Sequence, residues 1–330
     1  MGKIAFIIGE SFIYWQSLIL MLGAATAVFL FLALYIGRSG NAAGAAVTVP
    51  LCLISSVLLA RLCHWYCQAT AYESFSQAMT DWSAGNFALM GVFGGCLLTA
   101  CLLRLLGLVK NLPEMLDCMA LAGAAGIAVG RLSFLYSSAD RGMVLENVTS
   151  LPLAYPVVNG VTGVVEYRLA TFMLQSMVTG AVFLVLLVVW LAGRRSKKLP
   201  DGDVALCFFL IYGAAQAVFD STRYDSLYLR SNGFVSAVQI LGLVAIVTVS
   251  VIFSVRMVKN NGFKSWYIGL WVAELATLGG AGYMEYYVQR HGDRAATAYG
   301  IMSTCLICTV LLGVLLCRLG APNPKKMQGE

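Results

Sequence analysis

Gly202 to Gln239 reads GDVALCFFLIYGAAQAVFDSTRYDSLYLRSNGFVSAVQ, an apolar run that ends in Asp220, Arg223 and Asp225 and is followed by a second apolar run from about Phe234. Apolar stretches this long, parted by a short polar break, read as two membrane spans joined at one face of a bilayer. Asp220 and Arg223 are three residues apart, so on a helix they share a face and pair. Ionisable groups at the end of a buried span are costly unless paired or solvated, which marks the patch as a candidate functional site. The plainer reading is that these are loop charges at the membrane surface.

The rest of the chain repeats the apolar pattern. Of 330 residues, 59% are hydrophobic and 12% charged, and a soluble domain carries about twice that charge. Mean hydropathy is +0.80. The runs fall at about 12–36, 44–66, 87–109, 115–136, 169–192, 203–219, 234–255, 266–286 and 298–317, each near the length that crosses a bilayer as a helix. The expected fold is an all-α integral membrane protein, a polytopic helical bundle of about nine transmembrane helices. The sixth run is the shortest and, holding Tyr212 and Gln216, is expected to pack inside the bundle. Met1-Gly2-Lys3 precedes an apolar stretch broken by Gly9-Glu10 with no small-residue cleavage site, so the first span is expected to be retained.

The basic residues sort by side. Arg38, Arg104, Lys110, Arg194, Arg195, Lys197, Lys198 and Arg256 fall on one, while Glu10, Asp81, Asp140, Glu166, Asp220, Asp225 and Glu285 fall on the other. The positive-inside rule makes the first side cytoplasmic, with the N-terminus outside and the C-terminus inside. The longest segment between spans, Ser137 to Arg168, lies on the outer side and contains the turn formers Asn159-Gly160 and Gly163. It reads as a small external lobe.

Arg61, Arg131, Arg168 and Arg223 lie in or beside spans. A guanidinium near hydrocarbon needs a partner, and a lipid phosphate suits its bidentate fork. Arg131, Arg168 and Arg223 fall on the outer side and suggest an outer-leaflet headgroup pocket. The alternative is intramolecular pairing, Arg223 with Asp220 or Asp225 and Arg131 with Asp140. No metal or soluble cofactor is implied: Cys305-Leu306-Ile307-Cys308 has no second pair or histidine beside it, and reads as buried apolar packing. Nothing in the pattern suggests nucleic acid.

The opening stretch also resembles the signature region of bacterial prolipoprotein diacylglyceryl transferases: G-x9-YG, an acidic residue, R-x-D-S and then G-x5-Q, here Gly202, Tyr212, Gly213, Asp220, Arg223, Asp225, Ser226, Gly233 and Gln239. Leu59-Ala60-Arg61-Leu62 resembles a small-Ala-Arg element of that family. Ala84 to Gly95 follows its glycine-rich segment, Gly130-Arg131-Leu132 its GRIGNF motif, and Thr171-Phe172-Met173-Leu174-Gln175-Ser176 its TFLYES-type motif. The resemblance implies transfer of diacylglycerol from phosphatidylglycerol to the thiol of a lipobox cysteine in a preprolipoprotein, with glycerol phosphate leaving. By it, Arg131 is the principal phosphate contact and Arg223 with Asp220 forms a polar network near it. Arg61, Tyr212, Gln216, Asp225 and Gln239 line the lipid pocket.

The chain departs from the family's motifs at several positions. The histidine of the glycine-rich segment, a proton acceptor, is Leu89 here, and the asparagine of GRIGNF is Phe134. The arginine four residues after the signature tyrosine is Gln216, and the Tyr-Glu pair of the TFLYES-type motif is Leu174-Gln175. His64 could replace the lost base from another helix, or be an interfacial belt residue beside Trp65 and Tyr66. Two functions therefore stand open: a divergent transferase, or a catalytically impaired relative that binds anionic phospholipid or a partner through the same pocket. A transporter reading is weaker, because there is no internal repeat and few mid-span ionisable residues. The expected division is a transferase-like core over residues 1–258 and an additional hairpin and tail over 259–330. That hairpin would cover a lateral opening or bind a membrane partner, and its Glu274 must be paired, protonated or in a polar cavity. The expected location is the bacterial cytoplasmic membrane.

Overall fold

The structure is a computed structural model that describes residues 4–9, 11–81, 86–196, 199–229, 235–291 and 294–321. Gly233 of the signature, Ala84 and Gly85 of the glycine-rich segment, and Glu10, Lys197 and Lys198 lie outside the described residues. Among the described residues, ten α-helices follow a short N-terminal hairpin of β1 (Ile4–Ile8) and β2 (Ser11–Tyr14). They are α1 (Trp15–Ser39), α2 (Ala42–Cys67), α3 (Phe75–Thr80), α4 (Leu89–Leu105) and α5 (Leu112–Arg131), then α6 (Thr171–Ser196), α7 (Asp203–Ser221), α8 (Ala237–Asn261), α9 (Trp266–Arg290) and α10 (Ala295–Leu319). A second hairpin, β3 (Ala154–Val158) with β4 (Val165–Leu169), lies between α5 and α6.

Seven of these helices, α1, α2, α5, α6, α7, α8 and α10, are long and apolar enough to cross a membrane. The molecule is a multi-pass helical membrane protein. The two remaining long helices depart from the expected pattern for different reasons. Apolar α4 has only 17 residues, making it shorter than the 19 of α7, so the sixth run is not the shortest helix. In α9, 25 residues long, Glu274, Glu285 and four glycines dilute the apolar content. The first span begins at Trp15 rather than Phe12, because Ser11–Tyr14 pairs as a strand with Ile4–Ile8.

Without water to drive apolar surfaces together, membrane helices associate by close contact of small residues. A Cβ on Gly91 would lie 2.4 Å from the Ala60 backbone, and one on Gly95 2.5 Å from that of Ser56, so α4 sits directly on α2. Gly213 of α7 and Gly242 of α8 meet in the same way, each 2.9–3.1 Å from the other's carbonyl oxygen if given a Cβ. Large apolar side chains such as Phe29, Leu184, Val188 and Val251 remain exposed around the bundle, as lipid-facing positions do.

Two cores share α7. One joins Phe31, Leu103, Met115, Leu121, Leu186 and Phe208, and the other joins Leu210, Ile246, Phe253, Tyr267, Met302 and Leu316. The N-terminus of α7 is held by Asp117 of α5, whose carboxylate accepts from Gly202 N and Ala205 N at 2.8 Å each. These are donors that the first turn of a helix leaves unpaired. Ser250 Oγ of α8 donates to Glu274 Oε1, and Trp271 Nε1 donates to Ser254 Oγ at 3.0 Å, so polar contacts fix α9 to α8.

Candidate functional site

Arg131 closes α5, where a cation suits the negative end of the helix dipole. Asp220 sits in the last turn of α7, where an anion does not, and Arg223 just beyond that end offsets it. The two helix ends meet through Asp140. This residue adopts φ +60°, a left-handed conformation that aspartate tolerates better than most residues. Its Oδ2 accepts from Arg131 Nη1 at 2.7 Å and its Oδ1 lies 2.9 Å from Arg223 Nε. Asp140 N in turn donates to Asp225 Oδ2 at 2.8 Å.

Arg223 also pairs with Asp225 Oδ1 at 3.0 Å and Asp220 Oδ1 at 3.4 Å. Burial by itself lowers the Arg223 pKa, but Asp140, Asp225 and Asp220 outweigh it and hold the guanidinium above its ordinary value. Sequence spacing thus anticipates the Asp220–Arg223 contact, although α7 stops at Ser221 and the arginine reaches back from the following turn. The intramolecular pairing of Arg131 with Asp140 and of Arg223 with both carboxylates is present.

Among the described residues Arg131 Nε is buried without a hydrogen-bond partner, and the buried Tyr212 hydroxyl has the Arg131 guanidinium as its hydrogen-bonding neighbour. Tyr212 feels the Arg131 charge directly, and its ring stacks on Phe208 at 5.2 Å. One turn further along α7, Gln216 meets Gln175 of α6, Nε2 of Gln175 donating to Oε1 of Gln216 at 3.1 Å. Gln175 Oε1 and Gln216 Nε2 are buried without partners among the described residues.

Gln239 is engaged structurally. Its Oε1 accepts from Ser236 N at 2.9 Å, its own N–H donates to Ser236 Oγ at 3.1 Å, and its Nε2 donates to Ala217 O at 3.2 Å. This capping box starts α8 and ties it to α7. The S-x-x-Q spacing that announces it is visible in the sequence.

Arg61 and His64 belong to another cluster. Buried Arg61 donates to Ala78 O, Asp81 O and, at 3.1 Å, Asn86 O, and lies over the rings of Tyr72 and Phe87. It clasps the connection between α2 and α4. His64 Nδ1 shares a 2.8 Å hydrogen bond with the Tyr72 hydroxyl. Charged hydrogen bonds contribute about 1.5–3 kcal/mol each, so Arg61→Met is expected to loosen this connection by about 2–3 kcal/mol. Hydrogen exchange over Phe75–Thr80 should accelerate at least tenfold, and unchanged exchange would remove the clasp role. Arg168 pairs with Glu166 at 3.1 Å and covers the Tyr224 ring.

Sequence reasoning treats Asp140 only as an alternative partner for Arg131 and assigns Arg141 no role. Arg141 is 0% exposed, held between the Tyr155 and Phe172 rings at 4.2 and 4.3 Å, with Nη2 donating to Phe134 O and Ser137 O at 2.6 Å each. Burial pushes its pKa down. It pins the β3–β4 hairpin to α6 beside the ion cluster. The available signal was the Asp140-Arg141 pair in a stretch otherwise short of charge. An apolar cleft of about 380 Å³ opens between α2, α4 and α8, lined by Leu62, Tyr66, Met90, Ile240 and Leu241.

The fold and this site define a membrane-embedded helical bundle with arginines and carboxylates gathered at one end. The family model of prolipoprotein diacylglyceryl transferase matches residues 3–255, and the chain belongs to that family. Among its relatives is a phosphatidylglycerol–prolipoprotein diacylglyceryl transferase of Streptococcus equi subsp. zooepidemicus, 23% identical over 272 residues, or 80% of this chain and 98% of the relative. The proteins of the same name from Lactococcus lactis subsp. lactis and Streptococcus pyogenes serotype M3 are each 25% identical. The first alignment covers 79% of this chain and 97% of the relative, the second 80% and 98%.

Proposed function

We propose that this protein transfers the diacylglyceryl group of phosphatidylglycerol to a lipobox cysteine thiol of a preprolipoprotein. The observation that carries the reading is the buried Arg131 guanidinium, whose Nη1 is held by Asp140 while its Nε has no hydrogen-bond partner among the described residues, beside the Tyr212 hydroxyl that interacts with it. That edge of the guanidinium suits a phosphate oxygen. Phosphate held there leaves readily, because donors already in place stabilise the charge that develops on it. The bond from glycerol carbon to phosphate oxygen breaks, the carbon–sulfur bond forms, and the thiol proton ends on the departing glycerol phosphate. The apolar cleft between α2, α4 and α8 suits an acyl chain.

In this reading the Arg131 end faces outward from the bacterial cytoplasmic membrane and the C-terminus is cytoplasmic. Residues 1–258 are the transferase-like core and 259–330 an addition to it. A signal peptide is the second substrate. One observation favours the alternative of a lipid-binding relative without turnover: the neutral Gln175–Gln216 contact stands where the family's motifs carry charge, and Leu89 stands in place of the histidine.

The deciding experiment incubates purified protein with phosphatidylglycerol and a lipobox peptide, and reads the peptide mass for a diacylglyceryl addition. The expected result is a thioether product that disappears in Arg131→Ala. Phosphatidylglycerol binding without turnover, weakened by the same substitution, establishes the alternative. Neither turnover nor binding overturns both.

A further inference from the structure

The seam between α2 and α4 carries two thiols that the Arg131 cluster does not use. The helices run antiparallel with their backbones in contact, Ala60 against Gly91 and, one turn on, Ser56 against Gly95. A further turn along the same faces brings Cys52 of α2 opposite Cys96 and Thr99 of α4. Ser56 Oγ and Cys96 Sγ share a hydrogen bond at 3.5 Å, and Ser55 Oγ and Thr99 Oγ1 another at 2.8 Å. The Cys52 thiol hydrogen-bonds both Cys96 and Thr99. Both thiols are half-buried, while Leu51, Leu53, Leu97 and Leu98 beside them are exposed. At this depth in the bundle, what reaches the pair arrives through lipid.

Helices whose backbones touch bring facing Cα atoms into the range of about 4.4–6.8 Å that a disulfide spans, and thiols already in hydrogen-bond contact are placed to join. A buried thiol in apolar surroundings is inert. One that accepts hydrogen bonds is different, because donors stabilise the thiolate that attacks an oxidant. Cys96 is that acceptor, with the Cys52 thiol and the Ser56 hydroxyl as its donors. Cys52 then stands in place to resolve whatever forms on Cys96.

We propose that Cys96 and Cys52 form an oxidation site for hydroperoxides of membrane lipids. The Cys96 sulfur attacks the terminal peroxide oxygen, the O–O bond breaks, and the lipid alcohol leaves with the thiol proton, giving a sulfenic acid. The Cys52 sulfur displaces the sulfenic hydroxyl as water and closes a Cys52–Cys96 disulfide. Two thiols are oxidised, and one hydroperoxide is reduced to an alcohol and water. The link ties together the two helices that Arg61 clasps and that form two walls of the apolar cleft.

The test treats the full chain in nanodiscs with a phospholipid hydroperoxide, blocks the remaining thiols with iodoacetamide and maps disulfides by peptide mass spectrometry. A Cys52–Cys96 cross-linked peptide should form in most molecules and disappear with dithiothreitol. It should form at least tenfold faster than with the same amount of hydrogen peroxide, which stays in water. Cys207 and Cys317 also hydrogen-bond across two helices, but Cys317 Sγ lies 3.8 Å from the Asp203 carboxylate, which repels a thiolate. That pair should stay reduced. In Cys52→Ser, which lacks the resolving thiol, dimedone should label Cys96; in Cys96→Ser it should leave Cys52 unlabelled. The cross-link is read on the parent protein, so the outcome does not depend on either variant folding. Absence of the Cys52–Cys96 peptide, equal oxidation of Cys207 and Cys317, equal rates with the two peroxides, or dimedone on Cys52 instead of Cys96 each overturns the proposal.

Discussion

Asp140→Ala is expected to destabilise the protein by about 3–5 kcal/mol, the usual cost of removing one partner from a buried ion pair. Asp140 is fully buried and joins two cations from different elements, Arg131 at 2.7 Å and Arg223 at 2.9 Å. Without it, Arg223 retains Asp220 and Asp225, but Arg131 has no other carboxylate among its ion pairs in the described residues. An uncompensated guanidinium at the end of α5 then turns toward the lipid headgroups, and the Arg131–Tyr212 donor pair disperses. Thermal unfolding in a fixed lipid nanodisc measures the first effect, and transfer to a lipobox peptide the second. Asp140→Asn, which keeps the shape and one acceptor, should fall between. A variant as stable and active as the parent would show that Asp140 is not the bridge.

Gln216→Arg is expected to cost about 3–5 kcal/mol for a different reason, since it places a cation in the buried contact with Gln175 without a counterion. Adding Gln175→Glu supplies that counterion at a distance that is now 3.1 Å. Contacting residues are coupled, so the double variant should regain most of the loss, and a double-mutant cycle should show strong positive coupling. If the double variant is less stable than Gln216→Arg alone, the two positions do not act as one pair. The same series reports on function. A double variant that transfers faster than the parent would mean that the neutral pair limits turnover. An unchanged rate would mean that the Arg131 cluster works without charge at this position.

The contrast between these pairs shows which features can be read along the chain. Span positions follow from transfer of apolar side chains out of water, a local and nearly additive property, so the runs around Tyr212, Ile246 and Leu316 are legible residue by residue. Local too are the Asp220–Arg223 contact and the Ser236–Gln239 cap, each three residues apart. The β1–β2 and β3–β4 hairpins are less legible, because strand pairing depends on a partner and short apolar stretches resemble the ends of helices. Arg61 shows the limit of motif reading. Its hydrogen bonds close a connection between helices, a role that its place in a family-like element does not announce.

The sequence alone therefore determined a helical membrane bundle and the charged end at which Asp220, Arg223 and Asp225 lie. Tertiary structure decided which groups meet there. Asp140 bridges arginines 9 residues before it and 83 after it, Gln175 finds Gln216 across two helices, and the Tyr299 hydroxyl of α10 reaches Ser221 O at the end of α7. These contacts depend on which helix ends come together when small residues such as Gly213 and Gly242 let backbones touch. No local free energy encodes that choice; it is made by the packing of the whole bundle.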